Sequence, residues 1–139
     1  MNYKVIYGKN DLVYTGFLAL PGKLYQKDEL TQDYDTEYKL LHEKHTLSKY
    51  FNITPFVVID KNSQMPVARC MLTYYPEDDV AYFGFFECIG QQEIAEQLLD
   101  AVSKKAKKDL LILLVNTVSN FFCSLNALNH IHYVFTNGN

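Results

Sequence analysis

The most constraining feature of this sequence is an amphipathic segment that lies between two apolar runs. Between residues 92 and 108 apolar side chains recur at every fourth position, which predicts a helix with one buried face. The runs 80–87 and 110–115 are apolar on both faces, as central strands are. Two strands that one helix connects within a sheet are joined by a right-handed crossover, so we expect these two strands to be parallel.

The rest of the chain predicts more strands on one side of this unit and two helices near the start. Alternating or apolar runs predict strands at 3–7, 55–60 and 67–75. A first helix is expected to be capped by Asp11 and to stop at Pro21-Gly22, and a second to run from Thr36 to about Tyr50. In the last twenty residues we expect a short helix near 120–128 and a strand at 130–136. The order predicts an α/β fold with a mixed sheet: strand, two helices, three-stranded meander, helix, strand, and then a further helix and strand.

Composition limits the class of protein. A chain of 139 residues fits one domain, 1–139, and can bury roughly 68–70% of its unfolded surface. Its net charge of −3 and its one arginine, Arg69, argue against a nucleic-acid partner. The start lacks the pattern of a secretory signal, no apolar run is long enough to span a membrane, and three widely spaced cysteines do not suggest a disulfide framework. We therefore expect a cytoplasmic protein.

Glu87 is the candidate for acid–base chemistry. It ends the predicted central strand, at the edge where the carboxyl ends of two parallel strands open a crevice. A carboxylate there is placed to accept a proton from an amine, and the alternative is an ordinary pairing role at a strand end. The neighbouring Cys88 is a weaker candidate, because no histidine stands at a spacing that identifies a base for it.

The histidines do not form a metal motif. His42 and His45 are three residues apart, whereas the zinc-protease helix needs two histidines four apart. His130 and His132 are two apart and no further ligand completes a set. We expect no metal site.

Several short segments occur in a characteristic order along the chain. They are FLALP (17–21), LY (24–25), HTLSKYF (45–51), PVAR (66–69), FGFFE (83–87) and LLDA (98–101). Together with the predicted element order they resemble the acyl-CoA N-acyltransferase superfamily of the GNAT type, and within it a divergent group of bacterial acetyltransferases. The resemblance covers about residues 12–109.

This resemblance implies acyl transfer from acetyl-CoA to an amine-bearing small molecule or peptide by direct attack, without a covalent enzyme intermediate. Acetyl-CoA would lie between the two parallel strands, and backbone N–H groups of the loop that opens the main helix would bind its pyrophosphate. Glu87 would act as the base. The implied acetyl-CoA-binding residues are Phe86, Cys88, Gly90, Gln91, Gln92, Glu93, Ile94, Ala95, Asn116 and Asn120.

The chain also departs from the superfamily pattern. The loop pattern Gln/Arg-x-x-Gly-x-Gly/Ala falls on residues 90–95, where only Ala95 matches and Glu93 replaces a glycine. The tyrosine that often serves as the general acid falls on Ala127 or Ser124, and the C-terminal strands of the fold are expected to be incomplete. These departures leave two alternatives open. One is a non-catalytic module that forms a homodimer or binds a partner, and the other is a protein that binds a small ligand in an aromatic crevice.

Overall fold

The computed structural model describes residues 2–77 and 80–109, together with the backbone of residues 112–115. The elements are β1 (Tyr3–Tyr7), α1 (Asp11–Leu24), α2 (Tyr34–Leu41), a 3₁₀ turn (Ser48–Tyr50), β2 (Asn52–Asp60), β3 (Pro66–Tyr74), β4 (Val80–Cys88), α3 (Gln92–Lys108) and β5 (Ile112–Val115). The sheet order is β1-β2-β3-β4-β5. The predicted α/β fold with a mixed sheet is confirmed.

The unit β4-α3-β5 forms as its hydrophobic pattern predicts. β4 and β5 are parallel, with Val80 opposite Ile112 and Phe83 opposite Val115, whereas every other described pairing in the sheet is antiparallel. α3 has the predicted bounds, and its apolar side chains are buried against one face of the sheet, next to Phe56 and Leu72. Burial of this stripe, rather than helix propensity alone, holds the helix in place.

α1 covers the other face of the sheet and is longer than predicted. Its N-cap is Asn10, not Asp11, because the Asn10 side chain accepts the N–H of Val13 at 3.1 Å. The helix does not stop at Pro21-Gly22 but continues to Leu24. A proline inside a helix leaves the carbonyl four residues earlier without its N–H donor, and here Arg69 supplies a donor to that carbonyl instead.

α2 is shorter than predicted and the expected helix from Thr36 to Tyr50 is wrong. It begins with Asp33 as N-cap and ends at Leu41. Glu43 has a φ of 57°, a left-handed conformation that closes the C-terminus of a helix, and the N–H of Lys44 turns back to the carbonyl of Lys39 at 2.8 Å. The chain therefore leaves the helix well before the 3₁₀ turn.

No helix in the part of the chain that the structure describes is long and apolar enough to cross a membrane. The helix expected near 120–128 and the strand expected at 130–136 lie outside the described residues.

Candidate functional site

An irregularity in β4 decides which way Glu87 points. Met71 of β3 pairs with Gly84 and Arg69 pairs with Glu87, so two residues of β4, Phe85 and Phe86, stand opposite one residue of β3. Such a β-bulge breaks the alternation of side chains between the two faces. Phe85 has a φ of 54°, which is unusual for a residue with a side chain.

The bulge sends Glu87 to the α1 side of the sheet. Before it, Ala81 and Phe83 face α3, and after it Phe86 and Cys88 face α3 again. Uninterrupted alternation from Phe83 would have placed Glu87 on the α3 face, inside the hydrophobic core. The extra residue instead brings the carboxylate into a cavity.

That cavity, here called the α1–β4 pocket, has a volume of about 450 Å³. It is lined by Pro21 and Tyr25 at the end of α1, residues 30–32 of the following segment, Glu37 of α2, Arg69 of β3 and residues 84–87 of β4. Its size lies in the range of small-molecule sites, about 300–1,000 Å³.

Glu87 is half-buried in this pocket and is held by Tyr25. The Tyr25 hydroxyl donates a hydrogen bond of 2.7 Å to Glu87 Oε2. Tyr25 is the C-cap residue of α1, and its N–H returns to the carbonyl of Pro21 at 3.1 Å, which anchors the ring at the helix end. The bond fixes one carboxylate oxygen of Glu87.

A buried ion pair lies at the base of the pocket. Arg69 Nη1 is 2.6 Å from Glu37 Oε1 and Nη2 is 3.3 Å from Glu37 Oε2, and the two residues are 2% and 5% exposed. Gln32 Nε2 donates to the same Glu37 Oε1 at 2.8 Å and to the carbonyl of Leu18 at 3.0 Å. The network ties α1, α2 and β3 together, because Arg69 also donates to the carbonyl of Phe17. Bonds of this kind offset the cost of burying the two charges, although Arg69 Nε has no hydrogen-bond partner among the described residues.

The guanidinium of Arg69 also packs between aromatic rings. Its central carbon is 4.4 Å from the centre of the Phe17 ring and 5.9 Å from that of Phe85. The electron-rich faces of the two rings attract the guanidinium cation. This attraction holds Phe85, the first residue of the bulge, against α1.

The N-terminus of α3 follows β4 closely, with Ile89, Gly90 and Gln91 between them. The N-cap Gln91 makes no side-chain bond to the first turn, and its amide oxygen instead accepts the Tyr3 hydroxyl at 3.1 Å. The Gln91 N–H already donates to the carbonyl of Ile89 at 2.6 Å. It is therefore not available to bind a pyrophosphate, as the resemblance had implied. Glu93, the residue that replaces a glycine of the superfamily pattern, is exposed.

The other residues expected to bind acetyl-CoA fall into three groups. Ile94 and Ala95 are buried in the α3 core, so only their backbone could meet a ligand. Phe86 is buried and also lines the pocket, while the buried Cys88 thiol donates to the carbonyl of Ile89 at 2.9 Å. Asn116 and Asn120 lie outside the described residues.

The two histidines of the described chain have structural contacts. The ring of His42 packs between Tyr14 and Tyr38, with centroids at 4.8 and 4.2 Å. His45 Nδ1 accepts the N–H of Leu47 at 3.1 Å in the turn that follows α2. Within residues 2–77 and 80–109, no group of three or more histidine, cysteine or acidic side chains is arranged to hold a metal ion.

Sequence reasoning did not place Tyr25, Gln32, Glu37 or Arg69 in the site. Arg69 offered a signal, because it is the one arginine of the chain and the other residues of the run 66–72 are apolar. A charged residue in such a strand needs a buried partner of opposite charge. The choice of Glu37 among sixteen acidic residues required the fold.

A comparison with solved structures supports the fold. A crystal structure described as that of "a probable acetyltransferase" superposes with a TM-score of 0.64 over 92% of this chain and 87% of that chain, at 13% sequence identity. No protein-family model and no curated protein sequence matches the chain. The likeness therefore extends to the architecture, and function has to be reasoned from the site.

Proposed function

We propose that the protein is an N-acetyltransferase that moves an acyl group from acetyl-CoA to an amine bound in the α1–β4 pocket. The observation that carries this proposal is the Glu87 carboxylate, turned into the pocket by the bulge and held at 2.7 Å by the Tyr25 hydroxyl. The shared architecture with a probable acetyltransferase supports the same reaction class.

The proposed chemistry is direct transfer. Glu87 accepts a proton from the bound ammonium, and the freed nitrogen lone pair attacks the thioester carbonyl. The new C–N bond forms, the C–S bond breaks, and the sulfur leaves as a thiolate that takes a proton from solvent. The second proton on nitrogen is released to water, which leaves an amide and CoA.

We place the acyl-CoA at the carboxyl end of β4. The pyrophosphate would lie on the first turn of α3, near the N–H groups of Gly90, Gln92, Glu93 and Ile94, because helix N-termini attract anions. The described pairing of β5 ends at Phe83, whereas β4 continues to Cys88, and the backbone of Phe86 and Cys88 is where the pantetheine would run.

Calorimetry tests whether the protein binds acetyl-CoA. Release of free CoA thiol in the presence of a panel of amines tests whether it transfers the acyl group. Glu87→Gln should keep acetyl-CoA binding and lose turnover by at least about a hundredfold. The control is Glu29→Gln, an exposed carboxyl outside the pocket, which should match the wild type.

Two outcomes would contradict the proposal. Turnover that survives Glu87→Gln would remove Glu87 as the base. A protein that binds no acetyl-CoA at millimolar concentration and sediments as a dimer would instead be a non-catalytic module with the same fold.

A further inference from the structure

A second cavity, here called the β3–β4 groove, lies next to the α1–β4 pocket on the same face of the sheet. Its volume is about 310 Å³, and the described residues that line it are Thr73, Tyr75 and residues 82–85. Gly84 and Phe85 line both cavities. The groove therefore continues the pocket along β3 and β4, in the direction that leads away from Glu87.

Gly84 is the point at which the two cavities join. Phe83 faces α3 and Phe85 contacts Phe17 of α1, so positions 84 and 85 both turn to the α1 face. A Cβ at Gly84 would meet no described atom within 4 Å, and Gly84 does not adopt the left-handed backbone that favours glycine. Glycine weakens the interior of a strand, and it often stands where a ligand comes close. What Gly84 provides here is open space between the cavities.

The walls of the groove are mostly aromatic. The rings of Tyr75 and Tyr82 stand edge to face, with centroids 6.1 Å apart, and Phe51 packs edge-on against Tyr75 at 5.8 Å. Tyr75 and Phe85 are each 37% exposed, which leaves ring surface for a ligand to cover. Surfaces of this kind bind apolar groups, and aromatic rings in particular.

The direction of the proposed acyl-CoA leads to this groove. With the pyrophosphate on the first turn of α3 and the pantetheine along Phe86 and Cys88, the arm runs down β4 toward Gly84. From Gly90 to Phe85 the chain advances five residues, on the order of 15 Å, which is about the length of an extended pantetheine arm. The thioester would then lie where the cavities meet, with the amine on the side of the α1–β4 pocket and the groove ahead of the acyl group.

We infer that the β3–β4 groove is an acyl subsite, which extends the donors from acetyl-CoA to acyl-CoA molecules whose acyl group carries an aromatic ring. Gly84 is the residue that sets how large an acyl group the site accepts. The inference rests on the proposed function for the placement of the acyl-CoA. The far end of a long amine is the alternative occupant of the groove, and binding measurements tell the two apart.

A matched pair of thioesters tests the subsite. Acetyl-CoA and phenylacetyl-CoA share the CoA moiety and differ by a phenyl ring on the acyl group. In calorimetry phenylacetyl-CoA should bind at least about tenfold more tightly, because the groove buries its ring. In Gly84→Val the ratio of the two affinities should fall toward one, because the valine side chain closes the way into the groove. Tyr75→Ala, which removes a ring from the groove wall, should lower the same ratio.

Gly22→Val is the matched control. Gly22 is exposed in α1 and outside both linings, and a Cβ there would also meet no described atom within 4 Å. This variant should keep the wild-type ratio. Urea denaturation adds a second control, since Gly84→Val should unfold at the same urea concentration as the wild type or at a higher one. Valine suits a strand better than glycine does, and no described atom stands in its way.

Three results would overturn the inference. The first is equal affinity of the wild type for the two thioesters, and the second is a preference for phenylacetyl-CoA that survives both Gly84→Val and Tyr75→Ala. The third is a Gly84→Val protein that unfolds at a lower urea concentration, because other residues of the chain would then fill the groove. If Gly84→Val weakens only the binding of a long amine such as 4-phenylbutylamine, the groove belongs to the acceptor.

The same measurements separate this inference from the proposed reaction. Equal affinity for the two thioesters, together with acyl transfer from acetyl-CoA to an amine, would overturn the inference and leave the proposed function in place. Tighter binding of phenylacetyl-CoA without transfer to any amine would support the inference and remove the proposed function. Failure of both thioesters to bind would overturn both.

Discussion

Arg69 Nη1 lies 2.8 Å from the carbonyl oxygen of Phe17, the acceptor that Pro21 deprives of its helical N–H donor. The proline would otherwise leave a buried carbonyl without a bond, which costs about 1–3 kcal/mol. Arg69 comes from β3, so a residue of the sheet completes the hydrogen bonding of α1. The same guanidinium pairs with Glu37 of α2, and one side chain thereby connects both helices to the floor of the pocket.

Breaking the Arg69–Glu37 pair should be costly, whereas replacing both partners should not. Arg69→Met or Glu37→Leu alone leaves an uncompensated buried charge, with an expected loss of about 3–5 kcal/mol in the free energy of unfolding. The double variant should lose much less than the sum of the two. Urea denaturation measures the free energy of unfolding of the two single variants and of the double variant. If a single variant fails to fold, a double variant that does fold still shows that the loss comes from the unpaired charge.

The control for this cycle is the exposed pair Lys39–Asp35, one turn apart on α2, with a separation of 2.9 Å. Lys39→Met should change the free energy of unfolding by less than about 1 kcal/mol. Additive losses at Arg69 and Glu37 would contradict the view that the two charges stabilise each other.

Pro21→Ala should restore a helical donor to the Phe17 carbonyl. In the wild type this carbonyl already accepts Arg69, so the added N–H should bring little. In an Arg69→Met/Glu37→Leu background the carbonyl has lost that donor, and Pro21→Ala should raise the free energy of unfolding by about 1 kcal/mol more than it does in the wild type. Equal effects in both backgrounds would show that Arg69 does not substitute for the missing N–H.

The fold was predictable wherever it depends on local periodicity. The four-residue repeat in 92–108 and the apolar run 80–87 contain enough information to define α3, β4 and their parallel crossover. The end of α1 was not predictable in this way, because the Phe17 carbonyl that Pro21 leaves without a helical donor is bonded by Arg69, which lies 52 residues after Phe17 in the chain. The end of α2 depends on a left-handed Glu43, a residue type with no special preference for that conformation.

Of the residues that form the candidate site, the sequence predicted Glu87 but not the residues that surround its carboxylate. Glu87 could be singled out as a carboxylate at a strand end, but its direction depends on the bulge at Phe85 and Phe86, which simple alternation does not anticipate. Tyr25 lies 62 residues before Glu87 in the chain, and nothing in the sequence around Tyr25 indicates that its hydroxyl contacts Glu87. Long-range pairings of this kind are set by packing and not by sequence pattern.

Burial raises the pKa of the Cys70 thiol well above its ordinary value, and the nearby Arg69 charge offsets this only in part. The folded protein therefore keeps the thiol proton at a pH where the unfolded chain has lost it. This stability is fully present below the unfolded pKa and is lost as the pH rises through the interval up to the folded pKa. Unfolding free energies between about pH 8 and about pH 10 should fall with pH, and less steeply in Cys70→Ala.

Tyr14 supplies the control for that pH dependence. Its pKa is also raised by burial, from a higher ordinary value, so Tyr14→Phe should alter the profile only at the alkaline end of the interval. A slope that Cys70→Ala leaves unchanged would mean that the thiol does not contribute to the loss of stability.

The Tyr25→Phe variant should show whether the Tyr25 hydroxyl orients Glu87 or binds the ligand. The ring stays in place and only the hydroxyl that donates to Glu87 Oε2 is lost. We expect kcat to fall by about tenfold, with acetyl-CoA affinity unchanged, because Tyr25 acts as a positioning residue for the base. Tyr34→Phe, at an exposed position on α2, is the matched control. A rise in KM at constant kcat would instead place the hydroxyl in substrate binding.

Glu93→Gln should move stability and acetyl-CoA affinity in opposite directions. Glu93 is exposed in the first turn of α3, where a negative charge stabilises the helix by about 0.3–1 kcal/mol, and the variant should lose that amount in urea denaturation. The same charge repels a pyrophosphate on this turn, so its removal should tighten acetyl-CoA binding by about threefold to tenfold, and less at high salt. Glu29→Gln should change neither quantity. If Glu93→Gln lowers stability and leaves acetyl-CoA affinity untouched at low salt, the pyrophosphate does not lie on the first turn of α3.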